Sequence, residues 1–194
     1  MVFGRLADVR TRIAIRPLEM RDAQSVYRAI EESRVEVSRW MDWCTPTYSP
    51  RDAEEWILSA ARGSEDGSCF QFGIFDGRRF LGSCGLSHVD AAAGVANLGY
   101  WVRTRAAGQG IAPEAASRVI VWGFENTDVE RIEILAAVGN RRSQRVAEKI
   151  GAVREGVLRC RLSVFGRRHD AVLYSVVRSD FSSALTSAAP RRTS

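Results

Sequence analysis

Hydrophobic positions recur with two different periods along the chain, and the alternation between them predicts the elements. Ile13-Ala14-Ile15-Arg16 has strand character and is closed by Pro17. After Asp22, a residue type that caps helices, Ala23, Val26, Tyr27 and Ile30 share one helical face, so a helix is expected to about Glu32. Residues 40–46 form an aromatic-rich loop. Ser49-Pro50-Arg51-Asp52 combines a capping serine, a first-turn proline and an early acid, which predicts a helix to about Arg62 and a loop to Ser68. Two apolar runs, 69–75 and 80–86, flank Asp76-Gly77, the signature of a hairpin, and residues 90–94 make the next turn. Leu98, Tyr100, Trp101 and Val102 mark a strand. Gly108 and Gly110 punctuate a turn, and Pro113 suits a first helical turn. Ala115, Ala116, Val119, Ile120 and Phe124 then recur at helical spacing to about Asn126. A strand over 131–138, a short helix over 143–150 with Val146, Ala147 and Ile150 inward, and strands near 157–164 and 172–177 complete the order. Residues 182–194 are small, polar and basic, which predicts a disordered tail.

This order specifies a mixed α/β domain. If the strands ending at Val102 and Val138 are parallel neighbours joined by the helix between them, their C-terminal ends face one crevice, the usual ligand position in open α/β sheets. Residues 103–110 and 139–143 would both open onto it. At 194 residues and 45% hydrophobic composition, one well-buried domain over residues 1–181 is expected. The net charge is +5, and of 28 basic residues only Lys149 is a lysine. The arginines are spread along the chain, which fits a basic enzyme better than a nucleic-acid surface, while supplying planar phosphate partners.

Cys44, Cys69, Cys84 and Cys160 form no C-x-x-C pair and have no histidine at ligand spacing, which argues against a zinc site and for a reducing compartment. Neither a secretory signal nor a membrane-length apolar run is visible, so a cytoplasmic location is expected. The two histidines are His88 and His169. Cys84 and His88 share a strand face but lie about 13 Å apart at strand rise, too far for a dyad.

The stretch 98–116 carries the candidate chemistry. A tight turn feeding a helix leaves backbone N–H groups without partners, and with the helix dipole these attract an anion. The reading is either a phosphate or pyrophosphate held by amides between Ala106 and Ala112, or an ordinary strand–turn–helix connection. A Walker A loop is excluded, because Lys149 is followed by Ile150. A dinucleotide fingerprint fits poorly: Pro113 stands where the third glycine belongs, and the following strand ends in Ala136, Ala137 and Val138 without a carboxylate.

Arg105-Ala106-Ala107-Gly108-Gln109-Gly110 resembles the Arg/Gln-x-x-Gly-x-Gly/Ala loop of the GCN5-related N-acetyltransferases (GNAT). Leu98-Gly99-Tyr100-Trp101-Val102 resembles that family's fourth strand. Asn140-Arg141-Arg142-Ser143 with Glu148-Lys149-Ile150-Gly151-Ala152 resembles its second coenzyme-contacting turn and helix. Arg16-Pro17-Leu18 with Asp22-Ala23 resembles its opening. Trp40-Met41-Asp42-Trp43 and Gly166-Arg167-Arg168-His169-Asp170 point to the RimJ/RimL-like ribosomal-protein branch. The resemblance spans roughly residues 12 to 178. It implies a single-domain GNAT-like α/β fold, with a central mixed sheet of six to seven strands flanked by four helices, and acetyl-coenzyme A as co-substrate without a metal.

The resemblance also implies residue roles. The coenzyme would meet Trp101, Val102, Arg103, Arg105, Ala106, Ala107, Gly108, Gln109, Gly110, Ile111, Ala112, Asn140 and Ser143. Trp40, Trp43 and Tyr100 would line the acceptor pocket. The family's usual tyrosine acid is replaced by Ala147, so Ser143 is either the group bonding to the leaving sulfur or a helix cap. The family's glutamate before Gly-Tyr-Trp is replaced by Asn97, which leaves Glu133 or His88 as candidate bases. Three functions follow: acetylation of a protein N-terminus, acetylation of a small amine such as an antibiotic or metabolite, or non-catalytic coenzyme A binding. The partners implied are acetyl-coenzyme A and an amine acceptor, with neither nucleic acid nor membrane, and a possible homodimer by resemblance.

Overall fold

The computed structural model describes residues 13–180; the tail expected over 182–194 lies outside them. Seven strands form one sheet: β1 (Ala14–Pro17), β2 (Phe70–Asp76), β3 (Arg79–Asp90), β4 (Val95–Val102), β5 (Arg131–Ala137), β6 (Val153–Val164) and β7 (Arg167–Val177). Their order is β1-β2-β3-β4-β5-β7-β6, and every neighbouring pair is antiparallel except β4 with β5. Four α-helices cover it: α1 (Ala23–Val37), α2 (Pro50–Asp66), α3 (Ile111–Asn126) and α4 (Arg141–Lys149). The mixed sheet and the α/β class agree with the expectation from sequence.

Two apolar cores lie on opposite faces of the sheet. On one, α1 and α2 pack Val26, Ile30 and Ile57 against Phe75 and Phe80. On the other, α3 packs Val119, Ile120 and Trp122 against Phe72, Leu86 and Ile132, and α4 adds Ala147. Trp122 sits between Phe70 and Phe72, with ring centroids 4.9 and 5.0 Å away. Burial of one such side chain contributes about 2–3 kcal/mol. Gly123 lets α3 approach the sheet, because a Cβ there would meet Leu86 at 2.7 Å.

Several boundaries differ from expectation. The α1 helix runs past Glu32 to Val37, whose side chain is buried. Asp22 does not cap it with its side chain; its carboxylate instead accepts from the Arg16 guanidinium at 2.7 and 2.8 Å and from the Glu19 amide at 2.9 Å. The α2 helix continues to Asp66 and ends at Gly67 with φ 79°. Asn140, not Ser143, caps α4: its Oδ1 accepts from the Ser143 amide at 3.1 Å. β6 starts at Val153 and β7 at Arg167, both earlier than their apolar runs suggested, because exposed arginines and acids occupy the protruding hairpin.

Candidate active site

The site begins with a fault in the sheet. β4 and β5 are paired only over Val95–Asn97 and Arg131–Glu133, after which the strands diverge. The wedge between them opens into a cleft of about 680 Å³. Arg103 donates its amide to the Leu81 carbonyl on β3 at 2.7 Å. Because backbone groups alternate sides along a strand, the amides of Val102 and Tyr100 point the other way, into the wedge. Side chains alternate too: Trp101 faces the α1 side and Tyr100 the α3–α4 side.

The glycine turn closes one end of the cleft. Gly108 has φ 79° and Gly110 φ 82°, left-handed values that strain any side-chain-bearing residue. An ideal Cβ at either meets no atom within 4 Å, so the backbone conformation, not crowding, requires glycine there. Ala106 and Ala107 donate their amides to Arg103 and Thr104, and Glu114 donates to Gly110. Among the described residues, the amides of Gly108, Gln109, Gly110, Ile111 and Ala112 have no backbone acceptor. They lie at the N-terminus of the 16-residue α3, where the dipole favours an anion. Along α4, Arg142, Arg145 and Lys149 also line the cleft, spaced to share one helical face.

Across the wedge, the Tyr100 hydroxyl is 3.0 Å from the Ser143 carbonyl and 3.2 Å from its Oγ. Burial pushes the Tyr100 phenol well above its ordinary pKa, so it stays protonated and acts as a hydrogen-bond donor. With Asn140 holding the helix end, Ser143 is free of the capping role and its hydroxyl belongs to the cleft. Buried Gln144 fixes α4 to the end of β5 by donating to the Ala137 and Val138 carbonyls at 3.1 and 2.8 Å. Amides without backbone acceptors, a strand edge and a paired hydroxyl therefore border one space.

Residues 12–153 match the model of the acetyltransferase (GNAT) domain. The chain belongs to the GNAT acetyltransferase family. It is 30% identical over 174 residues to YdaF of Bacillus subtilis (strain 168), a protein named provisionally as a ribosomal N-acetyltransferase; the match covers 89% of this chain and 95% of YdaF. Solved structures share the fold, two acetyltransferases among them. The microcin C7 self-immunity acetyltransferase MccE, solved with acetyl-CoA and AMP, superimposes with a TM-score of 0.82 at 22% identity, covering 87% of this chain and 94% of that one. The ribosomal L7/L12 α-N-protein acetyltransferase RimL, solved with coenzyme A, gives 0.83 at 18%, covering 90% and 98%. Family membership makes this protein an acetyl-CoA-dependent N-acetyltransferase.

The acetyltransferase's second wall comes from the end of α1 and the loop after it. Val37, Trp40 and Met41 line the cleft there with Trp101. Trp40 lies against Gly139, where a Cβ would meet its ring at 3.0 Å, and its ring centroid is 6.4 Å from that of His169. Trp43 does not line the cleft; it packs on Trp101 and Tyr48 at 6.0 Å. The loop is held by Arg34, which donates to the Thr45 and Tyr48 carbonyls.

Several residues singled out in the sequence are not brought to the cleft. His88 is exposed where β3 is irregular, beside the start of β4, at the opposite end from Val102; it contacts Ser87. Glu133 accepts from Arg131 at 2.9 Å within the paired part of β5. Neither lines the cleft. The side chains of Arg103 and Arg105 turn to Glu32 on α1, at 3.2 and 3.7 Å, and Gln109 donates to the Arg105 carbonyl; these residues shape the turn from behind. Sequence reasoning missed Glu36, Thr104, Arg145, Val146 and Lys149 as lining residues. For the α4 set a signal existed, since Arg142, Arg145 and Lys149 fall on the same face as Ser143 and Val146. Among the described residues, no cluster of metal-ligating side chains occurs and no helix is long and apolar enough to cross a membrane.

Proposed function

We propose that this enzyme acetylates the α-amine of a protein N-terminus, with direct attack of the amine on the thioester. The observation that carries the reading is the convergence of the glycine turn, the open edge of β4 and the Tyr100–Ser143 pair on one cleft. The pyrophosphate of acetyl-CoA fits the amides of residues 108–112, with Arg145 and Lys149 near its remaining phosphate. The Val102 amide is directed where it can bind the thioester oxygen as charge develops on it. The nitrogen that has attacked sheds its proton to solvent; as the carbon–sulfur bond breaks, the thiolate receives a hydrogen bond from Ser143, which Tyr100 orients, and takes up a proton from solvent.

The acceptor class follows from what the cleft contains. Neither β4 nor β5 presents a carboxylate to it. Deprotonating a lysine side chain at pH 7 costs about 4–5 kcal/mol, an α-amine only about 1. A site without a strand-borne base suits the second. RimL is named an α-N-protein acetyltransferase of ribosomal L7/L12 and YdaF, provisionally, a ribosomal N-acetyltransferase, which supports the same class.

Titrating acetyl-CoA by calorimetry into the protein and into Gly108→Glu tests the donor site. Binding lost in the variant supports the cradle, and no binding to the unmodified protein overturns it. Thiol release is then followed with peptides bearing free or blocked N-termini. Equal rates with both overturn the α-amine reading and leave a small amine or a lysine as acceptor.

A further inference from the structure

The cleft has an electrical polarity. Its α4 wall carries Arg142, Arg145 and Lys149, which suits a polyanionic donor. Among the described residues lining the cleft, the only carboxylate is Glu36, on the opposite wall. It stands in the last turn of the 15-residue α1, next to Val37, Trp40 and Met41. The negative end of a helix dipole favours a cation there as well. Glu32, one turn earlier on α1, is committed to Arg103 and Arg105.

We propose that Glu36 receives the acceptor's ammonium group and so selects substrates that arrive as cationic amines. The proposal rests on the acetyltransferase reading and deepens it. The resting partner of Glu36 is Arg142, whose Nη1 lies 3.2 Å from its Oε2, with the two side chains 71% and 41% exposed for Arg142 and Glu36 respectively. An ion pair this open contributes at most about 1 kcal/mol, so an incoming ammonium can displace it at little cost. The walls beside Glu36 are apolar and aromatic, a setting in which one carboxylate fixes orientation while the rest of the site supplies contact area. Binding at Glu36 makes and breaks no covalent bond. It holds the ammonium on the α1 side, facing the donor across the wedge, and the ammonium gives a proton to solvent before the neutral nitrogen attacks.

The test reads binding before turnover. Tryptophan fluorescence is titrated with a short peptide having a free N-terminal serine and with its N-acetylated form, and likewise with benzylamine and N-acetylbenzylamine. The unmodified protein should prefer at least one free amine over its blocked form by about tenfold, the usual scale of one charge-assisted contact. Glu36→Gln should abolish the preference, Glu36→Asp should restore part of it, and neither should alter the acetyl-CoA affinity measured by calorimetry. In steady state, Glu36→Gln should raise KM for the amine about tenfold with kcat little changed. The inference is overturned if the unmodified protein prefers neither free amine, or if Glu36→Gln keeps the preference. Failure to release thiol from acetyl-CoA would instead overturn the acetyl-transfer reading, and the binding preference would still decide the role of Glu36.

Discussion

The two walls of the cleft are built by different means. The wall proposed for the donor is mostly main chain: amides at the start of α3, an unpaired stretch of β4, and a short helix whose position is fixed by a buried glutamine. The wall proposed for the acceptor is mostly side chain: Val37, Trp40, Met41 and Glu36, on a helix end and a loop stapled by one arginine. A main-chain site demands particular backbone angles, and such angles restrict residue type. A side-chain wall demands only shape and charge, which many sequences supply. The first kind of site therefore leaves a mark in the sequence, and the second does not.

Four perturbations break or sharpen this contrast. Gln144→Ala should have the largest effect, since it removes both side-chain hydrogen bonds that tie α4, with its cation row and Ser143, to the end of β5. A loss of about 2–3 kcal/mol is expected, seen as a fall of roughly 5–10 °C in Tm, with donor and acceptor binding weakened together. If only one of them weakens, the walls are more separate than α4 suggests.

Replacing Arg145 and Lys149 together with glutamine should raise the acetyl-CoA Kd about tenfold at low salt and less at high salt, with the acceptor preference intact. Calorimetry at two ionic strengths measures this. An equal effect at both would show that neither cation meets a phosphate. Tyr100→Phe should lower kcat about fivefold and leave acetyl-CoA affinity unchanged, because it removes the phenol's contacts to the Ser143 carbonyl and Oγ and no apolar surface.

The smallest effect concerns acid. Burial raises the Asp22 pKa, but the Arg16 guanidinium and the Glu19 amide outweigh it, and the carboxyl ends below its ordinary value. A lowered pKa contributes stability that is present above the unfolded value of 3.8 and lost as pH falls below it. Asp22 anchors the start of α1, whereas α4 is anchored by an uncharged amide. Below about pH 4, hydrogen exchange in α1 should accelerate before that in α4. Simultaneous loosening would show that the ion pair does not hold the acceptor wall.

Much of the fold was legible because its apolar periods agree with its tertiary contacts. The Asp-Gly turn, α3 and β5 have nearly the expected bounds, while β3 runs past Leu86 to Asp90. The site was legible where glycine was compulsory, at Gly108 and Gly110. It was not legible on α1, where Ser33, Val35 and Val37 are weak helix formers and the apolar pattern fades after Glu32. Contacts decided otherwise: Ser33 Oγ accepts the Thr104 amide at 3.1 Å and Val37 is buried, which carries the helix one turn further and brings Glu36 to the cleft. His88 and Glu133 were chosen by chemical type, and type gives no information about which end of a strand meets a cleft.

The divergence of β4 from β5 has one more consequence. Sheets normally present unpaired backbone only at their margins, and proteins protect those margins from stray pairing. Here residues 98–102 are a margin inside the sheet, flanked by strands on both sides yet bonded to only one. Any guest with its own row of donors and acceptors can register against it as a strand would. The sheet thus has an eighth position reserved in its middle, and molecules of the right length and amide spacing compete for it whatever group they carry at the end.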